Sequence, residues 1–224
     1  FFTVQKLLDD GYTLVACLYI KSHDLDSFMY QTAGQDLVEN YQHVLNVPFY
    51  IFETEKVAIN KNLKYSKTEN DEVEVMYRAL DELKTKYDFQ YVSAGAIKSE
   101  YQYERVKNVC SRLELQPLTP IYNQNQITLF NEIEKTLDAI FVKIATTDLN
   151  KSVIGKKLSA IKNLQIENKC GEGGEYETLV LDAPFFKKKL EILSYDIECH
   201  PEDIEKEFQT VFFLTKAKIQ IIPK

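Results

Sequence analysis

The chain has 224 residues, 45% hydrophobic and 27% charged, with a formal net charge of −7. That is enough apolar chain for one large domain or two small ones sharing a cleft. The acidic balance argues against nucleic-acid binding through a basic footprint, and no apolar run is long enough to span a bilayer as a helix. Cys17, Cys110, Cys170 and Cys199 are widely separated without C-x-x-C spacing, so zinc ligation and a disulfide framework are not expected; reduced thiols in a cytoplasmic protein are the default. His23, His43 and His200 are isolated, and no metal-ligating residues are assigned.

In chain order, Phe1 to Asp10 reads as a helix closed by Gly11. Tyr12 to Ile20 is a continuous apolar run, the pattern of a strand buried on both faces. An amphipathic helix is expected over Phe28 to Leu45, then a second strand over Val47 to Phe52. Glu55 to Asn70 is polar and irregular and reads as a mobile loop. Asp71 with Glu74 forms a capping-box pattern opening a helix with Val73, Met76, Tyr77, Leu80 and Leu83 on one face. A third strand over Phe89 to Ala96 leads to Ser99 and Gln102, another capping-box pair, and a helix burying Val106, Val109, Cys110 and Leu113. Leu115 to Tyr122 is a short fourth strand interrupted by Pro117 and Pro120.

Strands alternating with helices indicate βαβ units and a parallel sheet. From Asn123 the texture changes. A helix over Ile127 to Leu137, a strand over Ala139 to Ala145 and a Lys-rich helical stretch near Val153 to Leu164 precede two β segments, Lys189 to Cys199 and Thr210 to Ile222, with a short acidic helix between them. The expected organisation is an α/β half, 1–122, and an α+β half, 123–224.

Two segments could carry chemistry. Ser93-Ala-Gly-Ala-Ile97 ends the third strand and runs into the Ser99-capped helix, whose free N–H groups favour an anion such as phosphate. Gly95 permits close backbone approach, and Arg105 could contact phosphate or carboxylate; the plainer alternative is a well-capped structural helix. In the second segment three of the seven glycines, Gly171, Gly173 and Gly174, are interleaved with Glu172, Glu175 and Glu177. Such carboxylates can hold Mg²⁺, grip a cationic group or act as a general base, unless the stretch is simply a solvated acidic turn.

Gly171-Glu-Gly-Gly-Glu-Tyr-Glu-Thr178 with Leu181-Asp-Ala-Pro184 resembles the signature of the diphthine–ammonia ligases, ATP-dependent amidases of the PP-loop or N-type ATP pyrophosphatase superfamily. Further similar segments follow in family order. They are Leu25-Asp-Ser-Phe-Met-Tyr-Gln31, Asp71-Glu-Val-Glu74, Ala96-Ile-x-Ser-x-Tyr-Gln102 with Arg105-Val106 and Val109-Cys110, Lys143 to Ala145, and Gly155-Lys-x-Leu158. The resemblance runs from about Phe1 to Lys189 and implies a Rossmann-like parallel sheet of the HUP, adenine nucleotide alpha hydrolase-like class, with a C-terminal α+β subdomain. It implies amidation of diphthine on translation elongation factor 2 with ammonium, through an acyl-adenylate, with ATP and Mg²⁺ and release of AMP and pyrophosphate. On this resemblance Gly95, Ala96, Ser99, Tyr101, Gln102 and Arg105 line the nucleotide cleft. Glu172, Glu175 and Glu177 lie on its substrate side as the catalytic candidates, and Gly171, Gly173, Gly174, Tyr176 and Thr178 contact substrate.

The family's Ser-Gly-Gly-Lys-Asp-Ser loop and first strand would precede Phe1, so the native protein is expected to be longer at its N-terminus. Lys21 to Asp26 is also shorter than the usual family linker, and Tyr122 stands where relatives often carry Trp. A PP-loop enzyme modifying tRNA and a non-catalytic nucleotide-binding module are the alternatives; a homo-oligomer is left open.

Overall fold

Two parallel strand pairs and one antiparallel sheet organise the chain in a computed structural model, which describes residues 1–25, 27–207 and 209–224. Asp26, within the Leu25–Gln31 segment and at the end of the Lys21–Asp26 linker, lies outside the described residues. In chain order the elements are α1 (Phe2–Asp9), β1 (Cys17–Ser22), α2 (Tyr41–Val44), β2 (Phe49–Thr54), α3 (Val73–Lys86), β3 (Tyr91–Ser93), α4 (Glu100–Arg112) and β4 (Gln116–Leu118). They continue with α5 (Gln126–Thr136), β5 (Asp138–Ala145), β6 (Tyr176–Asp182), β7 (Lys188–Cys199) and β8 (Val211–Pro223). The described chain forms two units. The first comprises Thr3–Thr32 and Val47–Asn123, the second Phe1–Phe2, Ala33–Asn46 and Gln124–Lys224.

In the first unit β1 pairs in parallel with β2, and β3 with β4. The fold is thus a mixed α/β arrangement, with parallel pairs here and an antiparallel sheet in the second unit. The β1 strand is shorter than the apolar run suggests: pairing begins where Cys17 N donates to the Pro48 carbonyl at 2.9 Å, and only Ile20 and Ser22 of the strand are buried. The helices follow their apolar periodicity. Val73, Met76, Leu80 and Leu83 of α3 are buried, as are Val106, Val109 and Cys110 of α4 and the following Leu113. With Ile20, Tyr65, Val75 and Leu115, most of these form one core, each large aliphatic side chain contributing roughly 1.5–3 kcal/mol on burial.

The expected capping box of α3 does not form. Asp71 accepts from Val73 N at 3.0 Å with one oxygen and from Ile59 N and Asn60 N at 2.9 and 2.8 Å with the other. Glu74 instead takes a two-pronged contact from Arg112 at 2.8 and 2.7 Å and a hydroxyl from Tyr65 at 2.9 Å. Residues 55–70 carry no helix or strand, as expected, but these bonds pin them.

The second unit is a four-stranded antiparallel sheet in the order β6-β5-β8-β7. Ala139, Ile140, Phe141, Val142 and Ile144 of β5 are all buried, an apolar run broken by the half-buried Lys143 and characteristic of a central strand covered on both faces. The expected Lys-rich helix is replaced by two 3₁₀ turns, Lys151–Val153 and Leu158–Ile161, because the backbone bridges β5 at Ile140↔Lys157 and Phe141↔Ile154. The expected helix over Phe28 to Leu45 is likewise absent. Gly34 sits at φ 72°, and only a 3₁₀ turn, Gln35–Asn40, and the single turn of α2 follow it. That segment packs with the second unit: Tyr41 Oη donates to the Val180 carbonyl at 2.8 Å, and Lys187 N donates to Val44 O at 2.8 Å. Among the described residues no helix is long and apolar enough to cross a membrane.

Candidate functional site

In the first unit, the start of α4 follows the sequence closely. Ser99 caps the helix in an extended conformation, its Oγ accepting from Gln102 N at 3.3 Å. Gly95 is exposed, and a Cβ there would meet only Thr3 Oγ1 at 3.6 Å, whereas Ala96 is buried. The Gln102 amide donates to the Phe28 carbonyl at 2.9 Å, and the Tyr101 ring meets Phe28 edge-on at 5.8 Å. Arg105 is fully buried rather than presented to solvent. Its guanidinium lies over the Tyr101 ring and donates to the carbonyls of Tyr101 (3.0 Å), Asn60 and Asn62 (3.1 Å). Those bonds tie α4 to the 55–70 loop and orient Arg105 inward.

One carboxyl in this region stands apart. Glu72, at the N-cap of α3, is fully buried; one oxygen accepts from Ser27 Oγ at 2.6 Å, and the other has no hydrogen-bond partner among the described residues. Burial pushes its pKa up to about 7, reinforced by the charges of Asp71 and Asp24 and opposed by the Ser27 bond and Arg105. The Tyr101 hydroxyl is also buried without a partner among the described residues.

In the second unit, the glycine–glutamate segment forms a tight turn entering β6. Gly171 and Gly174 adopt φ of 77° and 85°, the left-handed region that disfavours a side chain. At Gly173 the constraint is space, since a Cβ would lie 2.6 Å from a Glu175 oxygen and 2.7 Å from Asn168 Nδ2. The Glu175 carboxylate closes the turn by accepting from Asn168 Nδ2 at 2.6 Å and Gly173 N at 2.8 Å. Glu177 faces Lys143 across the β5–β6 register at 3.1 Å and accepts from Ala33 N at 2.9 Å. Glu172 is half-buried in the turn. Burial, and then the Glu172 charge, push the Cys170 thiol up to about 12, which leaves it an unreactive thiol at neutral pH. Tyr176 is buried and donates to the Lys169 carbonyl at 2.7 Å, while Thr178 pairs with Phe141 in the ladder. Glu172, Glu175 and Glu177 therefore lie on one turn and strand.

The family description "Diphthamide synthase N-terminal domain" matches residues 11–117, and "Diphthamide synthase C-terminal domain" matches residues 125–211. The chain is 36% identical to the diphthine–ammonia ligase of Danio rerio over 97% of its length and 90% of that protein. It is 38% identical to the Bos taurus diphthine–ammonia ligase over 90% of its length and 82% of that protein. The chain belongs to the diphthamide synthase family. Its match to the Schizosaccharomyces pombe diphthine–ammonia ligase, at 37% identity, spans 89% of the chain but only 35% of that longer protein.

Within the diphthamide synthase match, sequence reasoning missed the side chains that build the glycine turn. Gln126 donates to Asn168 at 3.2 Å and accepts from Cys170 N at 2.9 Å. Lys169 is buried, its ammonium donating to the carbonyls of Ile161 and Leu164 at 2.6 Å each, and burial lowers its pKa. Gln165 to Lys169 falls between the Lys-rich stretch and the glycine–glutamate segment, and nothing in its sequence signals a buried cation. Among the described residues no group of three or more His, Cys, Asp or Glu side chains could hold a metal ion.

Proposed function

We propose that the chain is an ATP-dependent amide ligase of diphthamide biosynthesis, converting the diphthine carboxylate of a protein substrate, translation elongation factor 2, to the amide. The observation that carries this reading is the ordered match of both diphthamide synthase domains, with relatives named diphthine–ammonia ligase at 36% and 38% identity. A carboxylate is a poor acyl donor. Its attack on ATP would give an acyl-adenylate and pyrophosphate; ammonia would then form the C–N bond as the C–O bond to AMP breaks. Catalysis of this kind rests on positioning and on stabilising charge as it develops.

The division of labour we favour places nucleotide binding in residues 1–122, on a Rossmann-like, HUP-class scaffold, and substrate recognition in residues 123–224. Gly95, Ala96 and Ser99 offer an exposed glycine beside a capped helix start, a fit for phosphate or ribose oxygens. Arg105, turned inward, supports that surface rather than reaching the nucleotide. Of the three glutamates, Glu172 is our first choice for contacting substrate or ammonium, because it sits half-buried within the glycine turn itself, between Gly171 and Gly173. Gly171, Gly173, Gly174, Tyr176 and Thr178 give that contact its shape. Mg²⁺ would enter with the ATP phosphates, its usual mode, and the reading needs no protein metal cluster. A cytoplasmic site of action fits a substrate of the translation machinery.

The test incubates full-length protein with ATP, ammonium and diphthine-bearing elongation factor 2. Release of AMP and pyrophosphate together with amide formation supports the ligase. Its absence, in protein shown to bind ATP, overturns it. Glu172→Gln should lower the amidation rate about tenfold or more with little change in melting temperature.

A further inference from the structure

Glu72 is a carboxyl whose burial is incompletely compensated. A buried polar oxygen without a partner is unfavourable, and a side chain kept only for packing would satisfy or dispense with it. Its other oxygen ends a short relay: Met29 N and Tyr30 N donate to Ser27 Oγ at 3.3 and 3.1 Å, and Ser27 Oγ donates to Glu72 at 2.6 Å. Tyr30 Oη adds a bond to the Glu72 carbonyl at 3.1 Å. The same short segment reaches α4, where Phe28 accepts the Gln102 amide and packs against Tyr101.

We propose that Glu72 is a positioning residue for nucleotide binding, latching the Ser27–Tyr30 segment against the first turn of α4 through the Ser27 hydroxyl. This rests on the reading of Gly95 to Gln102 as nucleotide-lining. A carboxylate accepts a hydrogen bond more strongly than a neutral acid or amide, so the latch tightens when Glu72 is charged. The groups around it are Asp24 from the loop after β1, Asp71 before α3, Arg105 and Tyr101 from α4, and Tyr30. Burial first, and then the two acids, raise its proton affinity against the Ser27 bond and one cation, which brings the change of charge close to neutrality.

The experiment measures ATP affinity of wild-type, Glu72→Gln and Ser27→Ala proteins by calorimetry from about pH 8 to about pH 6, with protection factors for the Met29 and Tyr30 amides. Nucleotide phosphate titrates in the same window, so the quantity read is the difference between wild-type and variant profiles. At about pH 8 both variants should bind ATP about fivefold more weakly than wild type, converging with it near pH 6. Protection at Met29 and Tyr30 should fall in parallel in the wild type only. Glu72→Gln should nonetheless be the more heat-stable protein at about pH 8, so its weaker ATP binding there cannot come from a loss of fold stability. Equal ATP affinity of all three proteins at every pH overturns the latch and leaves the nucleotide reading standing. Wild-type protein that fails to bind ATP, with protection still falling, overturns the nucleotide role but not the Glu72–Ser27 contact.

Discussion

Charge is buried in both units, but on opposite terms. Lys169 in the second unit finds two carbonyls, and Glu175 and Glu177 each find two donors. In the first unit Arg105 serves three carbonyls with its terminal nitrogens while its Nε has no partner among the described residues, and Glu72 beside it keeps a carboxyl oxygen without one. Compensated charge fixes geometry, as the glycine turn illustrates. Uncompensated charge stores a response, because the group can change its protonation within the physiological range.

The largest expected effect tests the compensated side of this contrast. Arg105→Ala removes a fully buried cation and strands the carbonyls it serves, so a loss of about 3–5 kcal/mol is expected in denaturant titration. A loss under ~1 kcal/mol would mean that water replaces the guanidinium freely. Lys169→Met keeps the stem but abandons the Ile161 and Leu164 carbonyls, for about 2 kcal/mol. A stabilising result there would place the turn's order in packing rather than in hydrogen bonds.

Glu72→Gln tests the other side, with the opposite sign. The folded pKa of Glu72, about 7, lies above its ordinary 4.5, so the folded state holds the proton more tightly. Its favourable contribution is present below 4.5 and is lost as pH rises towards 7. The variant should therefore gain on the order of 2 kcal/mol over wild type near pH 8 and nothing near pH 4, read from melting curves across pH. No pH-dependent difference would show that Glu72 is satisfied after all. The smallest effect is Gly173→Ala, about 1 kcal/mol, since its Cβ must displace the Glu175 carboxylate or the Asn168 amide. Release of Glu175 should also be visible as faster exchange of the Gly173 amide.

The contrast also marks what could be read from the residues alone. The α4 helix was legible end to end, because the Ser99 cap and the spacing of Val106, Val109, Cys110 and Leu113 are local and mutually consistent. The helix expected over Phe28 to Leu45 failed because Ser27 ties up the Met29 and Tyr30 amides and Gly34 turns left-handed, both set by tertiary contacts. Asp71 and Glu74 carry the pattern of a capping box, but each has a stronger partner far along the chain. The glycine–glutamate turn was visible as a concentration of rare residues, while Gln126, more than forty positions earlier, was not. Glu72 in sequence is an ordinary acid at a helix start, and only its burial distinguishes it.

The pinned loop at 55–70 has a dynamic consequence. Its amides at Ile59 and Asn60 are held by Asp71, and its carbonyls at Asn60 and Asn62 by Arg105, so opening it would expose a buried anion and a buried cation together. Without a single helical or strand hydrogen bond of its own, it should open together with the start of α3 and the first turns of α4, as one cooperative unit. A protease that recognises irregular chain should accordingly find it a poor substrate until those helices give way.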